Sequence, residues 1–220
     1  MLGKAGKLVA VGFAGTLLIT PGIAAAQGDE FEEHTVKADV DGDGRADGVT
    51  LREVSEDTHA LIFGLAGEQI DTTYPGNASF PLQKPRPTDV NLDGSHEVIV
   101  TEYVGANTLT FNVRDYDPAS GIRSVSTEDG APLKLFEGGG VSGNSGYSCL
   151  DDHTGTRELV SVTAHVTSTP DDTPLFSGER VSYLVDNGVA TETHRAEFND
   201  VPREDPVMET NPESCGVSVS

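Results

Sequence analysis

Short runs of alternating apolar and polar residues follow one another along most of the chain. Val49, Leu51 and Val54 lie in one run, and Ala60, Ile62 and Leu65 in the next. Residues 98–104 are apolar and rich in β-branched side chains. Leu109, Phe111 and Val113 alternate with polar neighbours, as do Val160, Val162, Ala164 and Val166. A period of two puts every second side chain on one face, which is the pattern of a half-buried strand. Val181, Tyr183 and Val185 lead into Asp186-Asn187-Gly188, and a further β-type run covers residues 189–198. Asn-Gly between two such runs predicts a tight hairpin, because both residues accept the positive φ that the turn requires. No stretch holds a helical period over three turns. The 25 glycines and 12 prolines supply turns between short strands. The pattern predicts an all-β chain.

One segment occurs twice. Asp39-Val40-Asp41-Gly42-Asp43-Gly44-Arg45-Ala46-Asp47 precedes the strand pattern that starts at Gly48. Asp89-Val90-Asn91-Leu92-Asp93-Gly94-Ser95-His96-Glu97 precedes the one that starts at Val98, fifty residues later. A worn third copy is read at residues 151–158, where most acidic alternate positions are lost. A period near fifty residues suits the blades of a β-array.

The repeated segment carries the chemistry. Calcium takes about six to eight hard oxygens, several of them carboxylate, and a coiled loop with acidic residues at alternate positions aims them at one point. In the first loop the expected ligands are the side chains of Asp39, Asp41, Asp43 and Asp47 with the carbonyl of Arg45. In the second they are Asp89, Asn91, Asp93 and Glu97 with the carbonyl of Ser95. Gly44 and Gly94 take the sharp turn without a Cβ penalty. An EF-hand would place Glu at the twelfth position, but Thr50 and Val100 stand there, and strands follow instead of helices. Asp47 and Glu97, at the ninth position, therefore close each site. With four carboxylates against three and an amide, the first loop is expected to bind more tightly. Two calcium ions are expected, and magnesium is disfavoured by its smaller, stricter shell.

The pattern D-x-[DN]-x-D-G-x-x-[DE] followed by a β-branched strand resembles the FG-GAP or VCBS repeats of integrin-type β-propellers and of many secreted bacterial proteins. The Phe-Gly-Gly-Ala-Pro-like element that names the repeat is not evident. The resemblance implies a small propeller-like array of antiparallel blades, three to four units in this chain, with calcium loops at one edge and an extracellular binding role. It does not imply an enzyme.

Composition fixes the setting. Acidic residues number 36 against 14 basic ones, for a formal charge of −22, which argues against binding nucleic acid or an anionic membrane surface. Residues 1–26 read as a signal peptide: Lys4 and Lys7, an apolar run over residues 8–19, a Pro21-Gly22 break, then Ala24-Ala25-Ala26, with the cut before Gln27. The apolar run is shorter than the roughly 18 residues needed to cross a bilayer. Residues 27–34 are acidic and expected to be mobile, residues 35–200 form the β domain, and residues 201–220 form a Pro-rich tail. In an oxidising compartment Cys149 and Cys215 are expected to form a disulfide that ties this tail down.

Other constellations are weaker. The glycines of residues 138–146 lack the Lys that a P-loop requires, and Gly143-Asn144-Ser145-Gly146 is one residue short of a nucleophile elbow. The six histidines show no zinc spacing, and His153 beside Asp151 and Asp152 reads as a polar turn. The sequence thus points to a secreted calcium-binding module for an extracellular protein or glycan. Two alternatives stand beside it: a secreted hydrolase that recruits a loop metal, and an acidic domain without functional metal.

Overall fold

The computed structural model describes residues 32–77, 81–152 and 154–217. The leader, residues 27–31 and His153 lie outside them. Two sheets carry the described chain. In the first, β1 (Glu33–Ala38), β2 (Asp47–Ser55), β3 (Thr58–Leu65) and β4 (Glu68–Pro75) form an antiparallel meander in sequence order. Since β1 opens at Glu33, Glu33 and His34 belong to a strand and not to the mobile segment expected from the sequence. Their alternation with Thr35 and Val36 continues the period of two, and they pair with Arg52 and Leu51.

The second sheet holds β5 (Arg86–Thr88), β6 (Glu97–Val104), β7 (Thr108–Asp117), β8 (Gly121–Ser124), β9 (Ser126–Thr127), β10 (Lys134–Gly138), β11 (Gly143–Asp151), β12 (Arg157–Ser168), β13 (Leu175–Asp186) and β14 (Val189–Pro202). Its order is β5-β6-β7-β10-β11-β12-β13-β14-β9, with β8 on the half of β7 that β10 leaves free. Pairing is antiparallel except for a two-residue parallel contact between β14 and β9. Asn187 and Gly188, both at positive φ, make the predicted hairpin between β13 and β14.

The chain is all-β and antiparallel, but the described residues do not form a ring of separate blades. Only β1–β4 stands as a four-stranded unit. From β5 onward the strands join edge to edge, because β10 pairs with β7 over five residues and also meets β11 at the rung Gly138↔Ser145. The repeat survives at a smaller scale. The pair Ala38↔Asp47 closes the connection from β1 to β2, and Thr88↔Glu97 closes that from β5 to β6. Two β-loop-β units of equal register therefore lie fifty residues apart.

One core cluster brings Val49, Leu51, Leu61 and Phe63 of the first sheet together with Val98 and Val100 of β6. In β3 the fully buried side chains are Leu61 and Phe63, whereas Ile62 is half-buried. The sequence run had been marked by Ala60, Ile62 and Leu65; of these Leu65 shares the face of Leu61 and Phe63 and packs on the same core, whereas Ala60 and Ile62 lie on the other face. Val54 is exposed because it lies on the face opposite Val49 and Leu51, with Thr50 and Arg52. A second cluster gathers Ile99, Phe111, Val113, Leu135, Tyr147 and Leu159. A third packs Met208 of the tail on Val162, Phe176 and Phe198.

The tail starts after β14, at Arg203. Asp205 and Asn211 each cap a short 3-10 turn, at Pro206–Met208 and Pro212–Cys215. The Cys149–Cys215 disulfide forms as expected and closes a separation of 66 residues, which in the chain-entropy account stabilises by about 4 kcal/mol. Ser214 Oγ accepts the Cys149 N–H at 2.8 Å, so the tail serves part of the β11 edge that β10 leaves unpaired.

Candidate metal centre

Each repeated loop is a connection of eight residues between strands whose ends are already paired. Backbone N–H groups inside such a loop have no ladder to join, and the acidic side chains accept from them. Gly44 N–H donates to Asp39 Oδ2 at 2.8 Å, and Gly94 N–H to Asp89 Oδ2 at 3.3 Å. Asp43 N–H donates to Asp41 Oδ1, and Asp93 N–H to Asn91 Oδ1, both at 3.1 Å. Arg45 N–H donates to Asp43 Oδ1, and Ser95 N–H to Asp93 Oδ1, both at 2.8 Å. Val40 N–H donates to Asp47 Oδ2 at 3.1 Å, and Val90 N–H to Glu97 Oε2 at 2.9 Å. Each bond of the first loop recurs fifty residues later.

The backbone repeats as well. Gly44 and Gly94 have φ of +82° and +92°. A second left-handed position was not read from the sequence: Gly42 at +71° and Leu92 at +61°. Leu92 has a Cβ where the conformation disfavours one.

These bonds leave one buried Asp oxygen unpartnered in each loop. Asp39 Oδ1 and Asp89 Oδ1 are buried and have no hydrogen-bond partner among the described residues. Carboxylate oxygens of Asp39, Asp41 and Asp43 lie within 4.8 Å of one another. At the root of each loop the closing carboxylate is buried, Asp47 at 6% exposure and Glu97 at 4%. Burial pushes Glu97 up to about 8, against the Val90 N–H that favours its ionised form. Asp47 is raised by burial and by Asp41, Asp43 and Asp39, and the Val40 N–H opposes this. The side chain of Arg45 approaches Asp43 only at 3.9 Å and is largely exposed, so it neutralises little. Hard anionic oxygens with unfilled acceptor capacity fit a divalent ion of the calcium type, and at the second loop the largely buried Arg157 stands beside Asp89.

The third acidic segment differs. Only residues 152–156 separate β11 from β12, and Asp151 pairs with Arg157 across the ladder. Arg157 Nε and Nη2 donate to Asp151 at 2.5 and 2.9 Å, which holds that carboxyl below the usual range. Asp152 accepts from Thr154 and Thr156 and is lowered by those bonds. Its charges are already met by an arginine and two threonines.

The two loops touch. His96 N–H donates to Asp39 O at 2.6 Å, and Asp39 N–H donates to His96 Nδ1 at 3.0 Å. Arg157 Nη1 in turn donates to Asp89 O at 2.7 Å. His96 appeared in the sequence inside the second repeated segment, with no role assigned to it. The contact spans 57 positions, and no local pattern announces it.

The other sequence candidates behave as turns. Gly138, Gly139 and Gly140 all have positive φ, and a Cβ on Gly138 would meet Asn107 O at 2.2 Å. These glycines serve close packing of the β10–β11 connection. A cleft of about 570 Å³ opens between β5, β10, β11 and the tail, where Arg86 donates to Glu137 and to Tyr147 OH. It contains no residue of either loop. Comparison with protein-family models, curated proteins and solved structures finds no match to this chain.

Proposed function

We propose that this chain is a secreted, calcium-stabilised β-module of the FG-GAP or VCBS kind, serving as a binding or structural unit for an extracellular protein or glycan. One observation carries the reading: four side-chain-to-backbone hydrogen bonds repeat across fifty residues, and each set leaves a buried Asp oxygen unpartnered. Asp39, Asp41, Asp43 and Asp47 would hold one ion, and Asp89, Asn91, Asp93 and Glu97 the other, with the Arg45 and Ser95 carbonyls as further donors. Calcium supplies the positive charge that these carboxylates lack and cross-links the strand ends that flank each loop. The disulfide suits an oxidising compartment. The high acidity favours solubility outside the cell.

Calorimetric titration with calcium chloride tests the reading. Two equivalents are expected, together with a higher melting temperature. Stabilisation should reach about 2.7 kcal/mol per site once free calcium is about a hundredfold above Kd. Replacing Asp39 and Asp41 by Ala should remove one equivalent. No uptake, or the same melting temperature with chelator and with millimolar calcium, would sink the proposal.

A further inference from the structure

We propose that the two loops take up calcium as one coupled unit, with His96 as the positioning residue that links them. This rests on the calcium reading above. Asp39 is the first ligand position of the first loop, and both its backbone N–H and its carbonyl are bonded to His96. His96 lies between Ser95 and Glu97, the last two ligand positions of the second loop. A Cβ on Gly42 would stand 3.5 Å from Ser95 Cβ, so the loop backbones are in near contact. The equivalent of His96 in the first loop is Ala46, which has no ring to offer, and Asp89 is gripped instead by Arg157. The link between the two loops therefore runs through one residue, by a side-chain bond and a main-chain bond.

Binding an ion fixes several carboxylates and the backbone beneath them. If that ordering is shared through His96, the first ion prepares the second site. The sign is diagnostic. Charge alone works the other way, because an ion in one loop reduces the negative potential at its neighbour and two dications repel. Positive cooperativity thus isolates the mechanical link from electrostatics.

A mutant cycle read by calcium titration tests this. In the otherwise native chain, D93A should remove the uptake of the second loop and weaken the first by about tenfold, within the range of ordinary coupling energies. In an H96A background, which keeps only the main-chain bond to Asp39 O, D93A should weaken the first loop much less than tenfold. H96N should restore the coupling, since its amide oxygen can accept the Asp39 N–H as Nδ1 does. Two ions bound with D93A leaving the first loop's Kd unchanged would overturn the coupling and leave the calcium reading standing. Full coupling in H96A would overturn the role of His96. No uptake by either loop would overturn the calcium reading and this proposal together. If H96A fails to fold, the D93A comparison in the native and H96N chains still decides whether the loops are coupled.

Discussion

Buried polar atoms without partners gather in two regions of this protein, and the two differ in sign. At the loop edge they are two carboxylate oxygens, Asp39 Oδ1 and Asp89 Oδ1, with the Thr88 hydroxyl beside the second. Between the sheets they are both ring nitrogens of His59, Thr101 Oγ1, Asn112 Oδ1 and Arg114 Nε. In the seam, Tyr74 organises the group: Arg114 lies 4.6 Å over its ring, His59 meets it edge-on at 5.6 Å, and its hydroxyl donates to Thr101 O at 3.2 Å. An aromatic face takes up part of the positive charge there, and burial lowers both His59 and Arg114. At the loops no such group is present among the described residues, the buried oxygens belong to loops whose Asp41, Asp43 and Asp93 are exposed, and the arrangement occurs twice. An unpartnered atom is therefore not a site in itself. Its charge, its access to solvent and its repetition separate an ion-binding loop from a packed seam.

The largest test of this difference is E97Q. Glutamine keeps an oxygen for the Val90 N–H and removes a charge that burial disfavours. With calcium chelated at about pH 8, E97Q should be more stable than the native chain, by about 2 kcal/mol. With calcium present the order should reverse, because the variant has lost a ligand. Denaturant titrations with and without chelator provide the measurement. A variant that stays more stable than the native chain with calcium present would remove Glu97 from the ion-binding set.

The seam should respond to acid and not to calcium. His59 is buried with its pKa lowered, chiefly by burial, and Glu53 opposes the shift. The unfolded chain then takes up a proton below about pH 6.5 that the folded chain refuses. Stability from this group is complete above that pH and is lost as pH falls through it toward the folded value. The groups packed around the ring are Glu53 of β2, Tyr74 of β4 and Thr101 of β6, with Gly76 against its face. H59F should flatten the melting temperature between about pH 7 and pH 5 by a few degrees in calcium-saturated buffer. An unchanged acid response would place the sensitivity at the loops instead.

Alternation and spacing carried the strand content, the β13–β14 hairpin, the disulfide partners and the two repeated loops, because each is written in residues close in sequence or unique in number. What they could not carry is long-range. The β10 join depends on which edges meet in space, as does the packing of Met208 on the third cluster. The face that β3 buries was not legible because Ala60 and Ile62 on one side and Leu61, Phe63 and Leu65 on the other are all apolar, and only the position of β6 decides between the faces. Within the loops the acidic ladder was legible, but the left-handed Leu92 and the His96 contact were not, since neither residue type signals its role. The third segment shows the limit of composition. Asp151 and Asp152 are as acidic as the rest, yet Arg157 reaches one of them and a shorter turn occupies the other.

The smallest test concerns the one side-chain ligand whose charge differs between the loops. Asn91 Nδ2 donates to Asp93 Oδ2 at 2.8 Å, a bond that Asp41 cannot make to Asp43. N91D would exchange it for a repulsion at a partly exposed site, lowering calcium-free stability by only about 0.5 kcal/mol. With calcium, the added carboxylate should raise the affinity of the second loop severalfold, toward that of the first. The titration is cleanest in a D41A/D43A background, where Asp39 still anchors His96 and only the second loop reports. If affinity falls instead, Asn91 serves to arrange Asp93 and not to bind the ion, and the loops are equal in backbone but not in coordination.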